Sequence, residues 1–406
     1  MNLPKTWSLV ALGDIAAHEK GAIRRGPFGG SLKKEIFVES GFKVYEQQNA
    51  IKDDFQIGNY FIDEDKFREM EGFNVKPHDL IISCAGTIGK VAIVPYEALP
   101  GVINQALMRI RPNPEIILCR YLKWLLESPK YQRDIFGKSA GSALKNLAAI
   151  SEIKKCKIPL PPLEEQRRIA AILDKADGVR RKRKEAIRLT EELLRSTFLE
   201  MFGDPVTNPK GWEIVKLGSL VVGQPNNGIF KKNHEYGGDT PVVWVKELFS
   251  GYTIDCSESR TLTPTDEEVK KFGLTKGDIL FCRSSLNRDG IGFNNVFDGM
   301  DFSALFECHI IRVRLNQKKV NSIFLNYLLH FPGLRKQIIA KANTVTMSTI
   351  GQSEIKKIEF YLPPKELQDK FEIFLRKIAT NRTKLENKES ENLFNSLLQR
   401  AFRGEL

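Results

Sequence analysis

From Glu164 to about Phe202 the chain holds no proline and one glycine, Gly178. Apolar or small residues return every three to four positions at Ile169, Leu173, Ala176, Ile187, Thr190, Leu194, Thr197 and Met201. That period predicts a single long helix. Pro162 and the Glu164-Glu165 pair suit its first turn, and Gly203 before Asp204-Pro205 suits its stop. At 1.5 Å per residue such a rod is about 58 Å long. A second stretch, Glu366 to Phe402, repeats the pattern with Phe371, Phe374, Ile378, Leu385, Leu393 and Leu397 and is followed by Gly404. Half-apolar helices of this length are expected to pack on each other as a coiled coil. The seam is imperfect: Arg180 and Arg183 fall on it, as do Asn381 and Lys388 or Asn392. Two readings stay open for the run Arg180 to Lys184: Arg stems lying over a partner helix, or a polar middle that fixes register or meets phosphates.

Ahead of each helix the period shortens to that of strands. Phe42-Lys43-Val44-Tyr45 and Pro241-Val242-Val243-Trp244 read as short strands. Lys76 to Ile82 and Thr275 to Phe281 each read as a turn entering a buried strand. Arg120 to Phe136 and Ile323 to Ile339 each suit one amphipathic helix. These similarities extend to the letters. Ser151-Glu152-Ile153-Lys154-Lys155 leads into Leu160-Pro161-Pro162 and Gln166, and Ser353-Glu354-Ile355-Lys356-Lys357 leads into Leu362-Pro363-Pro364 and Gln368. Trp7 to Gly13 matches Trp212 to Gly218. Pro27 to Lys34 has a weaker counterpart in Asn227 to Lys232. A repeat of half a chain exceeds the 20–50 residues of a solenoid unit and indicates domain duplication. The expected architecture is mixed α/β: two similar strand-rich domains separated by two long helices, related by a pseudo-two-fold repeat. The boundaries are 1–158 and 204–360 for the domains, 159–203 and 361–406 for the helices.

Composition changes this picture in one respect. Of 406 residues, 42% are hydrophobic and 28% charged, which is ordinary, but the net charge is +12. A surplus of Lys and Arg favours polyanions, nucleic acid first. No apolar run approaches a membrane span, and Met1-Asn2-Leu3-Pro4-Lys5 lacks a signal-peptide core. The six cysteines, Cys84, Cys119, Cys156, Cys256, Cys282 and Cys308, form no Cys-x-x-Cys pair, so reduced thiols in the cytoplasm are expected and zinc is not.

Catalytic patterns fail on inspection. Gly86-Thr87-Ile88-Gly89-Lys90-Val91 departs from a phosphate-binding loop, with Cys84 at the first glycine position and Val91 where Ser or Thr binds magnesium. It is expected to be a tight turn between strands. Glu152-Ile153-Lys154 and Glu354-Ile355-Lys356 match the end of a nuclease metal site but lack an identified acidic partner. Methyltransferase cofactor and Asn/Asp-Pro-Pro-aromatic motifs are missing. His18, His78, His234, His309 and His330 show no ligand spacing. The expectation is a binding protein that is not an enzyme and carries no cofactor or metal.

The order of phrases closely resembles the specificity subunit of Type I restriction-modification systems. The resemblance spans the whole chain. It rests on Ile158-Pro159-Leu160-Pro161-Pro162-Leu163-Glu164-Glu165-Gln166, on Tyr361-Leu362-Pro363-Pro364 and on Arg400 to Leu406. Gly26 to Lys34, Gly86 to Val91 and Phe202-Gly203-Asp204-Pro205 add to it. It implies two target recognition domains, each reading half of a bipartite double-stranded DNA target. The helices would form an antiparallel coiled coil that sets the gap. The implied partners are two modification subunits carrying S-adenosylmethionine and restriction subunits using ATP and magnesium, with no membrane. A coiled-coil scaffold whose domains bind protein is the alternative.

Base reading calls for Arg or Lys toward guanine and Asn or Gln toward adenine, supported by phosphate contacts. The first domain offers Arg24, Arg25, Ser31, Lys33 and Lys34 on the glycine-rich loop, Gln47, Gln48 and Asn49 after a strand, and Lys90. The second offers Asn226, Asn227, Lys231, Lys232, Lys246, Arg283, Ser284, Asn287 and Arg288.

Overall fold

The computed structural model describes residues 3–28, 30–137, 149–344, 348–385 and 388–406. The chain forms two compact units, Met1–Arg183 with Asn387–Leu406, and Lys184–Glu386. Each therefore takes one strand-rich domain with part of the first long helix, Leu163–Phe202, inside which the division falls; of the second expected helix, Lys365–Leu385 belongs to the second unit and Lys388–Ala401 to the first.

Both domains are built in one order. In the first, an antiparallel sheet runs Ile23–Arg25, Leu107–Ile110, Leu80–Ser83, Val91–Ile93. A smaller sheet runs Phe61–Ile62, Phe42–Tyr45, Gly101–Ile103, its last pair parallel. The second domain repeats this with Asn226–Asn227, Ile310–Val313, Ile279–Cys282 and Asn294–Val296. Its smaller sheet is Thr261–Leu262, Thr240–Val243 and Leu305–Phe306, again ending in a parallel pair. A further small sheet, Ser284–Ser285, Ser348–Thr349 and Asn343–Thr344, belongs to the second domain. The corresponding stretch of the first half lies at 138–148, outside the described residues. Each domain closes on itself when the junction strand returns to pair with the first one, Lys157–Leu160 with Ser8–Ala11 and Glu359–Leu362 with Glu213–Lys216. The prolines that follow turn the chain out of the sheet and into the helix.

Two single helices expected from periodicity are each broken. Cys119–Glu127 ends at Ser128, and Pro129 opens a new turn that continues as a π-type turn over Gln132–Phe136. Ser322–Leu329 ends before Pro332–Ala340 in the same way. Proline excludes the α conformation from the residue before it, so Ser128 and Phe331 are extended.

Within each unit the long helices pair in antiparallel fashion. In the first unit Arg168 donates to the Leu406 carbonyl at 2.8 Å, and Arg180 lies 4.8 Å over the Phe394 ring. In the second, Arg382 meets Glu191 at 2.9 Å and Phe198 packs on Phe371, ring centroids 5.1 Å apart. Contacts thus climb one helix as they descend the other. The seam differs from the sequence reading by one position: Phe198 is buried beside Thr197, and Phe394 and Leu398 are buried where Leu393 is exposed. Packing selects the larger rings, because they bury more apolar area. Arg180 takes the stem-over-partner role and also holds Asp177, while Arg181 binds Asp177 and Asp53. Asn381 and Asn392 are exposed and off the seam. The Lys388 side chain and Gly29 lie outside the described residues.

The first core joins Ile82, Met108 and Ile110 of the sheet to Tyr121, Leu125, Ile169, Leu173, Leu398 and Phe402. The second joins Phe281, Ile311 and Val313 to Phe324, Leu328, Phe198, Phe202, Phe371 and Leu375. Each long helix is therefore part of a domain core. Its C-terminal glycine, Gly203 at φ +81° or Gly404 at φ +74°, turns in the left-handed region that side chains avoid.

Candidate nucleic-acid interface

The polar loops of each domain are set by the strands they leave. Gly26 donates to the Leu107 carbonyl at 2.8 Å, and a Cβ there would lie 1.8 Å from the Asn104 carbonyl oxygen. Gly228 donates to Ile310 at 3.2 Å, and a Cβ there would lie 2.2 Å from the Phe306 carbonyl oxygen. Only glycine allows this close backbone approach. Strand register makes Gly26 and Gly228 equivalent, which shifts the loop alignment inferred from the sequence: Arg25 corresponds to Asn227 and, counting on from the glycines, Phe28 corresponds to Phe230.

In the first domain Arg25, the last residue of its strand, is exposed just before this root, Lys33 and Lys34 are exposed beyond it, and Ser31 is half-buried. Lys90 is exposed at the end of the Gly86–Lys90 turn, which joins two antiparallel strands as expected. Gln47 opens a short helix, Gln47–Lys52, and a Cβ at Gly86 would lie 3.8 Å from its Oε1. That oxygen is buried and has no hydrogen-bond partner among the described residues. A buried amide left open beside a solvent-facing turn is poised for an incoming donor. Gln48 is held by Glu46 at 3.0 Å.

Two first-domain candidates have partners within their own domain. Asn49 is fully buried and its amide is consumed by its own loop, accepting from Glu46 N–H and donating to the Asp54 and Ile57 carbonyls. Arg24 stacks over Phe73 at 4.2 Å.

In the second domain Arg283, Asn287 and Arg288 are exposed on one turn, with Ser284 half-buried beside them. Arg283 reaches the Cys308 carbonyl at 3.4 Å, and Ser284 Oγ lies 2.6 Å from His309 Nδ1. Asn287 Oδ1 caps the Arg288–Gly290 turn through Asp289 N–H. Lys232 and Lys246 are exposed, the latter 3.4 Å from Glu247. Asn226 donates to the Lys271 carbonyl while its Oδ1 stays buried and unpartnered among the described residues. Asn227 accepts from Gln352 at 3.2 Å. Lys231 is matched by Glu268 at 2.8 Å and Glu235 at 3.6 Å, and these carboxylates raise its pKa. Its charge is offset within the domain.

Sequence reasoning passed over His309, which joins the Arg283–Arg288 turn only because Glu307 folds the connection, accepting His309 N–H at 2.8 Å. Burial pushes the Glu307 carboxyl up. Arg260 is stacked on Tyr236 at 4.1 Å and Trp244 at 5.3 Å. Both depend on contacts between distant segments, and no spacing signals them.

Glu307, Cys308 and His309 hold potential ligand atoms within 4.8 Å of one another. A structural zinc site takes four ligands, and Glu307 is already engaged by the turn it closes. A cavity of about 910 Å³ in the first unit is lined by Arg120, Lys123, Asp53, Asp174, Asp177 and Arg181, all of which are joined in ion pairs. Among the described residues no helix is long and apolar enough to cross a membrane.

Two copies of one α/β scaffold, each presenting a different set of basic and amide side chains, define a double recognition module. The sequence model for the Type I restriction modification DNA specificity domain matches residues 4–189 and again 209–394. The chain belongs to that family and carries its domain twice. It is 26% identical over 361 residues to the Type I restriction enzyme StySPI specificity subunit of Salmonella potsdam, covering 83% of this chain and 76% of that one. It is 23% identical over 405 residues to the EcoKI specificity subunit of Escherichia coli K12, covering 90% and 85%. Among solved structures, the Type I restriction-modification S subunit from M. genitalium shares the fold at a TM-score of 0.60, with 14% identity over 99% of this chain and 96% of that one. A chain of a type I R-M system solved in connection with its complex assembly matches at 0.52, with 21% identity and full coverage of both.

Proposed function

We propose that this chain is the DNA-recognition subunit of a Type I restriction-modification complex, each domain reading one half of a bipartite duplex target. The observation that carries the reading is a scaffold repeated strand for strand whose register-equivalent loops differ. Arg25 stands where the other half has Asn227, and the Gly86–Lys90 turn stands where the other has Arg283–Arg288. Equal frames with unequal polar side chains suit two unlike half-sites. The paired helices would set the gap between the halves. They would also offer two similar surfaces to two modification subunits, which would carry S-adenosylmethionine, while restriction subunits would bring ATP and magnesium. The chain itself acts as a recognition subunit, not an enzyme, in keeping with relatives that are specificity subunits.

The test is co-expression with the modification subunits followed by mapping of N6-methyladenine. A motif with two fixed halves and a constant gap is expected, and four residues inserted after Glu185 should lengthen that gap. An undivided motif, or a gap indifferent to the insertion, would exclude the reading of two half-sites held by a helical spacer.

A further inference from the structure

We propose that Phe28 and Phe230 are matched aromatic wedges that stack on DNA bases, one in each half of the target. The inference rests on the DNA-reading function above and adds a contact with base faces to the contacts with base edges.

Phe28 is 94% exposed and Phe230 75% exposed. A single exposed aromatic on a soluble protein needs no explanation. Two at equivalent register do. Each stands two residues beyond a glycine, Gly26 or Gly228, that is pinned against a neighbouring backbone with no room for a Cβ. In the first loop the Phe28 carbonyl accepts the N–H groups of Gly30 and Ser31 at 2.7 and 3.1 Å, while its ring stands in solvent. Around this shared glycine and phenylalanine the loops diverge: Pro27 faces Ile229, and Gly30 faces Lys232.

The pattern of what is kept and what is changed has a physical meaning. A residue that reads a base edge must differ between unlike half-sites. A ring that stacks on a base need not, because every base presents a π-face. The repeated phenylalanine is therefore suited to a sequence-tolerant contact, and the changed side chains to the specific ones. The surroundings also select the partner. Arg25, Lys33 and Lys34 are exposed within six residues of Phe28 in the chain, as is Lys232 within two of Phe230. Cations around a lone ring match phosphates flanking a base step, whereas a protein-binding anchor sits in an apolar surround with charge depleted. Apolar side chains inserted between base steps partly unstack them.

The experiment uses the full chain with co-purified modification subunits and duplexes carrying the mapped target, with 2-aminopurine placed at successive steps. Binding is expected to brighten the probe at one step in each half. Phe28→Ala should abolish the signal in one half only and Phe230→Ala in the other, each weakening binding about tenfold. Phe28→Trp should retain the signal and show quenching of its own fluorescence. Both alanine variants should keep the wild-type unfolding midpoint, since the rings are exposed. If the wild type binds the duplex and no step brightens, or both alanine variants leave the brightening unchanged, the wedge is wrong and DNA reading stands. Failure of the wild type to bind duplex at all overturns both.

Discussion

Gln166 Oε1 accepts the backbone N–H of Leu118 at 2.8 Å, and its amide nitrogen donates to the carbonyls of Ile116 and Pro161 at 3.0 and 2.9 Å. Gln368 does the same for Asn321 N–H at 2.8 Å and the Pro363 carbonyl at 2.7 Å. Both side chains are fully buried. Leu118 and Asn321 each precede a domain helix, so a glutamine in the long helix satisfies a backbone donor that helix starts leave open. The repeated glutamine is thus a joint between a long helix and a strand-rich domain.

Gln166→Leu leaves three backbone groups unpaired in a dry site. A loss of about 1–3 kcal/mol is expected, read as a lower denaturant midpoint, with Gln368→Leu behaving alike. An unchanged midpoint would show that the joint is not needed for stability.

A second duplicated feature is a buried ion pair. Arg111 binds Asp79 through two hydrogen bonds of 2.8 and 2.7 Å and also meets Glu19. Arg314 binds Asp278 through two of 2.8 Å. The Arg111 side chain is 11% exposed and that of Arg314 37%. Asp79→Ala should cost about 3–5 kcal/mol, because it removes the buried partner of Arg111 and leaves it only the half-exposed Glu19. Asp278→Ala should cost less, since Arg314 reaches water. Equal losses in calorimetry would contradict this.

His330 supplies the clearest pH dependence. Its ring nitrogen lies 2.8 Å from the Asn294 carbonyl and its ring stacks on Phe293. Burial, aided by Arg335, lowers its pKa to about 4. The unfolded chain, near 6.5, binds this proton first, so stability is complete above that value and falls as pH drops toward 4. The full swing is at most about 3 kcal/mol. His330→Gln should flatten the unfolding midpoint against pH over this window, and a profile unchanged by the substitution would assign the loss to other groups.

Salt dependence separates free cations from spent ones. Lys33→Ala and Lys34→Ala should each reduce the slope of log affinity against log salt by about one. Lys231→Ala should leave it nearly unchanged, because Glu268 and Glu235 already offset that charge. Arg283→Ala should weaken specific binding by about 1–3 kcal/mol and relax one base position. A slope altered equally by Lys33→Ala and Lys231→Ala would mean that the ion pair opens on DNA.

Much of the architecture was legible because it is carried by local signals repeated in one chain. Helical period, the Leu-Pro-Pro turns, Gly203 and Gly404, and the paired phrases before them act within a few residues, and duplication lets each half check the other. The same locality explains the errors. Periodicity alone carried one helix through Pro129 and another through Pro332, and it placed the seam on Leu393 although Phe394 fills it.

Residue type was also legible at the loops, but availability was not. Nothing adjacent to Asn49, Arg24 or Lys231 marks them as consumed, since their partners Ile57, Phe73 and Glu268 come from other segments. By itself the sequence determined the duplicated scaffold, the helices and the basic character of the loops, all set by short-range pattern and composition. Tertiary structure alone decided which polar groups remain open and that Phe28 answers Phe230. Burial and strand register are long-range, and they assign each side chain its partner or leave it without one.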